Sequence, residues 1–381
     1  MDFKLTEEQQ MLQDTAARLV RDNYAFEQRE AYRREPGGFS RAFWARLGEL
    51  GLCAVPFEEA HGGFGGQGVE MGLICAELGR GLCLEPYLQS VIFGGGLLAQ
   101  LGSAAQRDEL LTRVAAGELQ LAVALEEPQS HYQLHDVCCT ASPTADGWLL
   151  DGRKSVVFGG QSAGLILLSA RTAGGARDEQ GISLFLVDPA STGVVRREFP
   201  TLDGRMACDL YLDQVFVPRA ALLGLEGEAL PALRYQQGRA VAAQCAEAVG
   251  SMEAACALTL DYLKTRQQFG GVIGKFQALQ HRMVDMRIEL DQASSMALLA
   301  ACMADEPDSD ERSRALAAAK YIVSRAARLI ADESVQLHGG IGLTWEYQLS
   351  HHAKHLWMVA RQFGDDDHHL QVFSELMAPA D

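Results

Sequence analysis

Up to about residue 115, apolar positions recur with a helical period. Leu12, Ala16, Leu19 and Val20 share one face, and Thr6 followed by Gln9 forms a capping box ahead of them. Ser40 is placed to cap a second helix carrying Phe43, Trp44, Leu47 and Leu50, with Gly51 where a helix-ending glycine belongs. Further helices are expected over 69–78 and 106–116. Near residue 120 the texture changes to short apolar runs at 121–125, 148–150, 165–169, 182–187 and 210–217. The pairs Asp151-Gly152, Gly159-Gly160, Gly174-Gly175 and Asp203-Gly204 punctuate them as turns, which predicts an antiparallel β domain and not βαβ units. From Ala229 long helical patterns return, over 229–265, 275–303, 310–337 and 344–360 with a short terminal piece, and Glu306-Pro307-Asp308 breaks the second from the third. The expected class is α+β: an N-terminal helical domain (1–118), a central antiparallel β domain (119–227) and a C-terminal four-helix bundle (228–381).

Composition narrows the function. The 381 residues are 48% apolar and 22% charged, enough for a large core. Lys plus Arg is 33 against 50 Asp plus Glu, a formal charge of −17. That charge excludes a general nucleic-acid binder and docking on an anionic membrane. No apolar run reaches the ~18 residues of a membrane span. The start, MDFKLTEEQQ, has no basic-then-apolar leader, so the expected location is the cytoplasm. Nine cysteines without a CxxC pair read as reduced thiols.

Several motifs carry little. Gly63-Phe64-Gly65-Gly66-Gln67-Gly68 fits a dinucleotide fingerprint, but it lies among helices, where a loop is the expectation. His351 and His355 share a helix face and His368-His369 follow, yet no HExxH or third ligand spacing accompanies them. Surface or interface histidines are expected, and no metal. Cys245, Met252 and Cys256 read as helix interior.

Three stretches are informative. Ala124-Leu125-Glu126-Glu127-Pro128 leaves a strand for a loop. Tyr262 to Gly270 ends a long helix with Arg266, Phe269 and Gly270, followed by Ile273-Gly274-Lys275-Phe276-Gln277. Val335-Gln336-Leu337-His338-Gly339-Gly340-Ile341-Gly342 ends another. Taken alone, the second glycine pair is a helix stop. Taken together, a guanidinium and two open backbone positions suit one diphosphate on a planar ligand.

At this spacing in a helix–sheet–helix chain, these stretches resemble the acyl-CoA dehydrogenase family, and Pro56-Phe57-Glu58-Glu59 with His61-Gly62-Gly63 is similar to it too. The segments Cys245–Gly250 and Phe363–Leu370 look closest to small subunits of pimeloyl-CoA dehydrogenases. The resemblance implies desaturation of an acyl-CoA thioester at Cα–Cβ by FAD and a carboxylate base. It implies reoxidation by electron transfer flavoprotein, and a homo- or hetero-tetramer whose FAD straddles a subunit interface. It places Arg266, Phe269, Gln277, Gln336, Leu337, His338, Gly339 and Gly340 around the FAD of the neighbouring subunit.

Other positions depart from the family pattern. The flavin-bonding threonine of the usual Thr-Glu-Pro loop is Glu126 here. The flavin-stacking tryptophan and flavin-bonding threonine of the next strand are Val156 and Phe158. Where many relatives carry the base, the matching position is Gly364, so Asp365, one step later, is one candidate base. Glu247, two helical turns from the alternative position near Ala240, is the other. The leading expectation is a flavin-dependent acyl-CoA dehydrogenase subunit paired with a paralogous large subunit, acting on pimeloyl-CoA or another medium-chain or dicarboxylyl-CoA. The rivals are a non-catalytic scaffold that completes a partner's FAD site, and a flavin monooxygenase on the same fold.

Overall fold

The structure is a computed structural model that describes residues 4–377. Helix α1 (Glu7–Asn23) begins with the expected capping box: Thr6 Oγ1 accepts from the Gln9 N–H and Gln9 Oε1 from the Thr6 N–H. Ala16, Leu19 and Val20 of its stripe are buried. After α2 (Phe26–Tyr32), Ser40 caps α3 (Arg41–Glu49) by accepting from the Phe43 N–H. Gly51 then takes φ +73°, the left-handed ending that glycine adopts without a side-chain clash.

Helix α4 (Gly68–Arg80) starts at the end of the glycine run, and a short 3-10 turn (Glu59–His61) precedes that run where a fingerprint would need a strand. A Cβ on Gly68 would stand 2.2 Å from the Ala301 carbonyl oxygen, so the glycine serves helix packing. Leu88–Gly94 is π-helical and runs into α5 (Gly95–Leu101). All seven residues of the π-helical piece are buried, so it has no polar face and no amphipathic period for the sequence pattern to reveal. The helix expected over 106–116 is three pieces: α6 (Ala104–Gln106), a π-helical turn (Arg107–Leu111) and α7 (Thr112–Ala115).

The β domain holds β1 (Leu121–Ala124), β2 (Thr140–Pro143), β3 (Gly147–Phe158), β4 (Leu165–Arg171), β5 (Ile182–Val187), β6 (Val194–Pro200), β7 (Met206–Pro218) and β8 (Leu222–Leu223). Their order is β6-β7-β3-β2-β4-β5-β8, with β1 beside β4. The sheet is antiparallel except at two places. β1 runs parallel to β4, Leu121 opposite Leu165, and β2 meets β4 in one parallel pair, Thr140 with Arg171. Asp151-Gly152 is a correction: it lies inside β3 at a register shift, and Asp151 Oδ1 accepts from the Gln214 N–H of β7.

The bundle is α8 (Leu230–Thr265), α9 (Gln277–Met303), α10 (Asp310–His338) and α11 (Gln348–Val359), closed by α12 (Asp366–Glu375). A hairpin of β9 (Gln267–Gln268) and β10 (Gly271–Val272) joins α8 to α9. One apolar core unites the N-terminal helices, the sheet and the first half of α8 through Leu233, Ala240 and Ala243. A second lies within the bundle around Met252, Met286, Val323, Ile330 and Leu356. Helix α8 thus ties all three layers together. Cys245, Met252 and Cys256 are interior, and burial pushes the Cys245 and Cys256 thiols up to about 12. His351 and His355 are also buried, which corrects the expectation of surface histidines; His355 Nδ1 lies 3.2 Å from Asp203 Oδ2.

Candidate functional site

Two helix ends meet at one corner of the bundle. Arg266 leaves α8 in extended conformation, its N–H donating to the Tyr262 carbonyl at 2.8 Å. The hairpin folds back so that the Ile273 N–H donates to the Arg266 carbonyl at 2.9 Å, and this puts Phe269 at a tip with 85% of its surface exposed. Gln277 opens α9, exposed. The end of α10 lies alongside: the His338 imidazole stacks on the Tyr262 ring at 4.4 Å and 25°. Nδ1 of His338 donates to the Ser334 carbonyl at 2.8 Å, leaving Nε2 to accept from the Tyr347 hydroxyl at 3.3 Å. Burial lowers the His338 pKa, so the ring is a neutral spacer between the two ends.

Leu337 and His338 are buried, whereas Gln336, Gly339 and Gly340 are exposed. A Cβ at Gly270, Gly339 or Gly340 would meet nothing within 4 Å. Among the described residues the exposed Arg266 guanidinium has no hydrogen-bond or ion-pair partner. The corner therefore offers a free cation beside open backbone. That chemistry suits a diphosphate.

A cavity lies elsewhere, between the β domain, the π-helical segment and the α11–α12 loop. Its volume is only about 50 Å³, against ~300–1,000 Å³ for pockets that hold cofactors and drug-sized ligands. Gln89, Phe93, Glu126, Val156, Phe158, Gln237 and Phe363 line it. Desolvation on its wall raises the Glu126 carboxyl although the side chain still reaches solvent. Phe363 adopts φ +60° and packs edge-on against Phe93 at 5.8 Å; a left-handed non-glycine residue costs roughly 1–2 kcal/mol. Beneath Glu126, the Glu127 carboxylate accepts from the Cys138 and Cys139 N–H groups and from Lys154 Nζ at 2.7 Å. This buried pair fixes the loop that carries Glu126.

Neither candidate base faces that cavity. Asp365 is the N-cap of α12, its Oδ1 accepting from the His368 N–H at 2.9 Å. Glu247 is buried in an ion pair with Arg205, with His355 Nε2 4.0 Å from the same oxygen. A carboxylate cannot replace Gly364, since a Cβ at its φ of +105° would stand 2.5 Å from the His368 ring. Among the described residues no group of three or more His, Cys, Asp or Glu is placed to hold a metal ion, and no helix is long and apolar enough to cross a membrane.

Models of the acyl-CoA dehydrogenase N-terminal, middle and C-terminal domains match residues 6–118, 122–215 and 234–375. The chain belongs to the acyl-CoA dehydrogenase family. It is 30% identical over 353 residues to the probable acyl-CoA dehydrogenase YngJ of Bacillus subtilis, covering 91% of this chain and 92% of that one. It superposes with TM-score 0.87 on a chain of the Tcur3481-Tcur3483 steroid ACAD, at 30% identity and 97% and 98% coverage. It superposes with TM-score 0.88 on a chain of the ChsE4-ChsE5 complex from Mycobacterium tuberculosis, at 25% identity and full coverage of both.

Acyl-CoA dehydrogenases are FAD-dependent oxidoreductases. In this member the two ends of the cofactor are served unequally. The corner of Arg266, Gly270, Gly339 and Gly340 fits the diphosphate. The cavity behind Glu126, Val156 and Phe158 does not fit the flavin ring. The sequence pattern missed Gln89, Phe93 and the place of Phe363 in the cavity lining. The first two sit on the fully buried π-helical segment, and the third depends on a left-handed backbone. The run of small residues Gly94-Gly95-Gly96 was the one available sign of a tightly packed segment there.

Proposed function

We propose that this chain is one subunit of a heteromeric acyl-CoA dehydrogenase, paired with a paralogous large subunit, and that it completes the partner's FAD site without holding a flavin ring of its own. One observation carries the reading: in a single chain the diphosphate corner is open, while the cavity lined by Glu126, Phe158 and Phe363 holds only about 50 Å³. The two related solved structures whose names join two components, Tcur3481-Tcur3483 and ChsE4-ChsE5, support a two-component assembly.

When bound, FAD supplies the acceptor for the hydride that leaves Cβ of the acyl group. In this reading Arg266 and the Gly339-Gly340 backbone hold the diphosphate. Phe269, Gln277 and Gln336 flank it, and buried Leu337 and His338 stiffen the end of α10. The base comes from the partner, because Asp365 caps a helix and Glu247 neutralises Arg205. The substrate class is a medium-chain or dicarboxylyl-CoA such as pimeloyl-CoA, and electron transfer flavoprotein is the acceptor.

The test is co-expression with a paralogous large acyl-CoA dehydrogenase subunit. Asp365→Asn and Glu247→Gln in the reconstituted complex leave turnover of the preferred acyl-CoA within about twofold, with FAD retained. A loss of roughly a hundredfold or more with FAD in place would make one of them the base and the chain itself catalytic. A thioester panel including pimeloyl-CoA and a steroid side-chain CoA reads the substrate class.

A further inference from the structure

The small cavity is bordered on one side by a loop that is fastened at several points. Residues 360–365 join α11 to α12 and place Phe363 in the cavity lining. At one side Lys320, fully buried on α10, donates to the Val359 carbonyl where α11 ends. At the other, His369 Nε2 donates to the carbonyl of Phe363 itself at 2.9 Å. Gln244 of α8 donates from Nε2 to Gln362 Oε1 at 2.8 Å. Gly364 at φ +105° leaves no room for a side chain against His368 and His369. Phe363 sits in a strained left-handed conformation that an untethered loop would abandon.

Among the described residues Lys320 makes no ion pair and its hydrogen-bond acceptor is a backbone carbonyl, while Asp365, Asp366 and Glu247 act on its charge from a distance. His369 spends its single imidazole proton on the Phe363 carbonyl, while Nδ1 is buried with no hydrogen-bond partner among the described residues. Two buried polar side chains committed to one short connection do little for the core, where an apolar residue would pack as well. They do fix where the connection goes. Burial lowers the Lys320 ammonium to about 8 and His369 to about 3, in keeping with groups retained for position despite desolvation.

We propose that Lys320 and His369 are positioning residues that seat Phe363 in the ring cavity, and that this hold decides which subunit of the heteromer takes up the flavin ring. The inference rests on the reading above, that the ring half of this chain is closed. It adds that the closure is a latch and not a filled core.

The probe is lumiflavin, the isoalloxazine ring without the diphosphate chain, titrated against the full chain by fluorescence quenching. The wild-type chain shows no saturable binding. Phe363→Ala, Lys320→Met and His369→Leu each bind lumiflavin saturably. His369→Gln, which keeps a donor toward the Phe363 carbonyl, stays closed like the wild type. Binding by Phe363→Ala alone, with Lys320→Met and His369→Leu closed, would overturn the latch and leave a simple plug. Closure of all three variants would overturn the latch as well, while leaving the diphosphate reading intact. Saturable binding by the wild type would overturn the closed-pocket reading instead. Where Lys320→Met fails to fold cooperatively, Gln244→Leu releases the same loop through Gln362 and stands in for it.

Discussion

At the residue scale, Arg266 carries the cofactor argument because no described residue pairs with its charge. An exposed guanidinium on a glycine-bordered turn contributes little to folding but matches a diphosphate in charge and fork geometry. Arg266→Ala should leave the melting temperature of the chain unchanged and weaken FAD retention by the complex roughly tenfold or more; gel filtration with flavin absorbance reads it. His369 gives a pH prediction. Unfolded, it takes a proton near 6.5; folded, burial holds it down to about 3. The folded state therefore binds fewer protons across that window. Its contribution to stability is whole above pH 6.5 and is lost as pH falls below it, by about 1.4 kcal/mol per unit. Urea unfolding of wild type and His369→Gln between pH 4 and 7 checks this: the difference should shrink, then reverse, on acidification.

At the element scale, α4 and α8 pack so closely that glycines on each meet the other's backbone. A Cβ on Gly250 would stand 1.8 Å from the Ala76 carbonyl oxygen, and one on Gly79 2.0 Å from that of Glu247. Gly250→Ala should thus destabilise the chain by about 1–3 kcal/mol, measured by thermal or chemical unfolding. This contact was not legible in the sequence, since glycines inside a long helical pattern look only like weak helix formers. The amphipathic elements were legible. The Thr6 and Ser40 caps, the strands around 165 and 182 and all four bundle helices lie where the pattern put them. What escaped the pattern has a common physical cause. Leu88–Leu101 is buried on nearly all sides, β2 and β8 are too short to show a period, and half-exposed β6 alternates weakly.

At the scale of the whole molecule, the corner at Arg266 and the cavity at Glu126 are separate places in one chain. The family motifs marked the diphosphate corner, and the structure shows its two ends in stacking contact through Tyr262 and His338. The ring half was legible only as departures from a pattern, at Glu126, Val156 and Phe158. Its closure by Phe363 required the folded loop. The same division explains why Asp365 and Glu247, reasonable as carboxylates near the expected positions, sit in capping and ion-pair roles. On the proposed reading an unlike neighbour completes the function of this chain, and that reading sets the flavin count.

The most direct measurement is FAD stoichiometry in the complex co-purified with the paralogous subunit, set beside that of this chain alone. A single FAD for each pair of unlike subunits, none on the isolated chain, and loss of that FAD on Arg266→Ala are the expected results. One FAD for every chain, or a full complement on the isolated protein, would contradict the account.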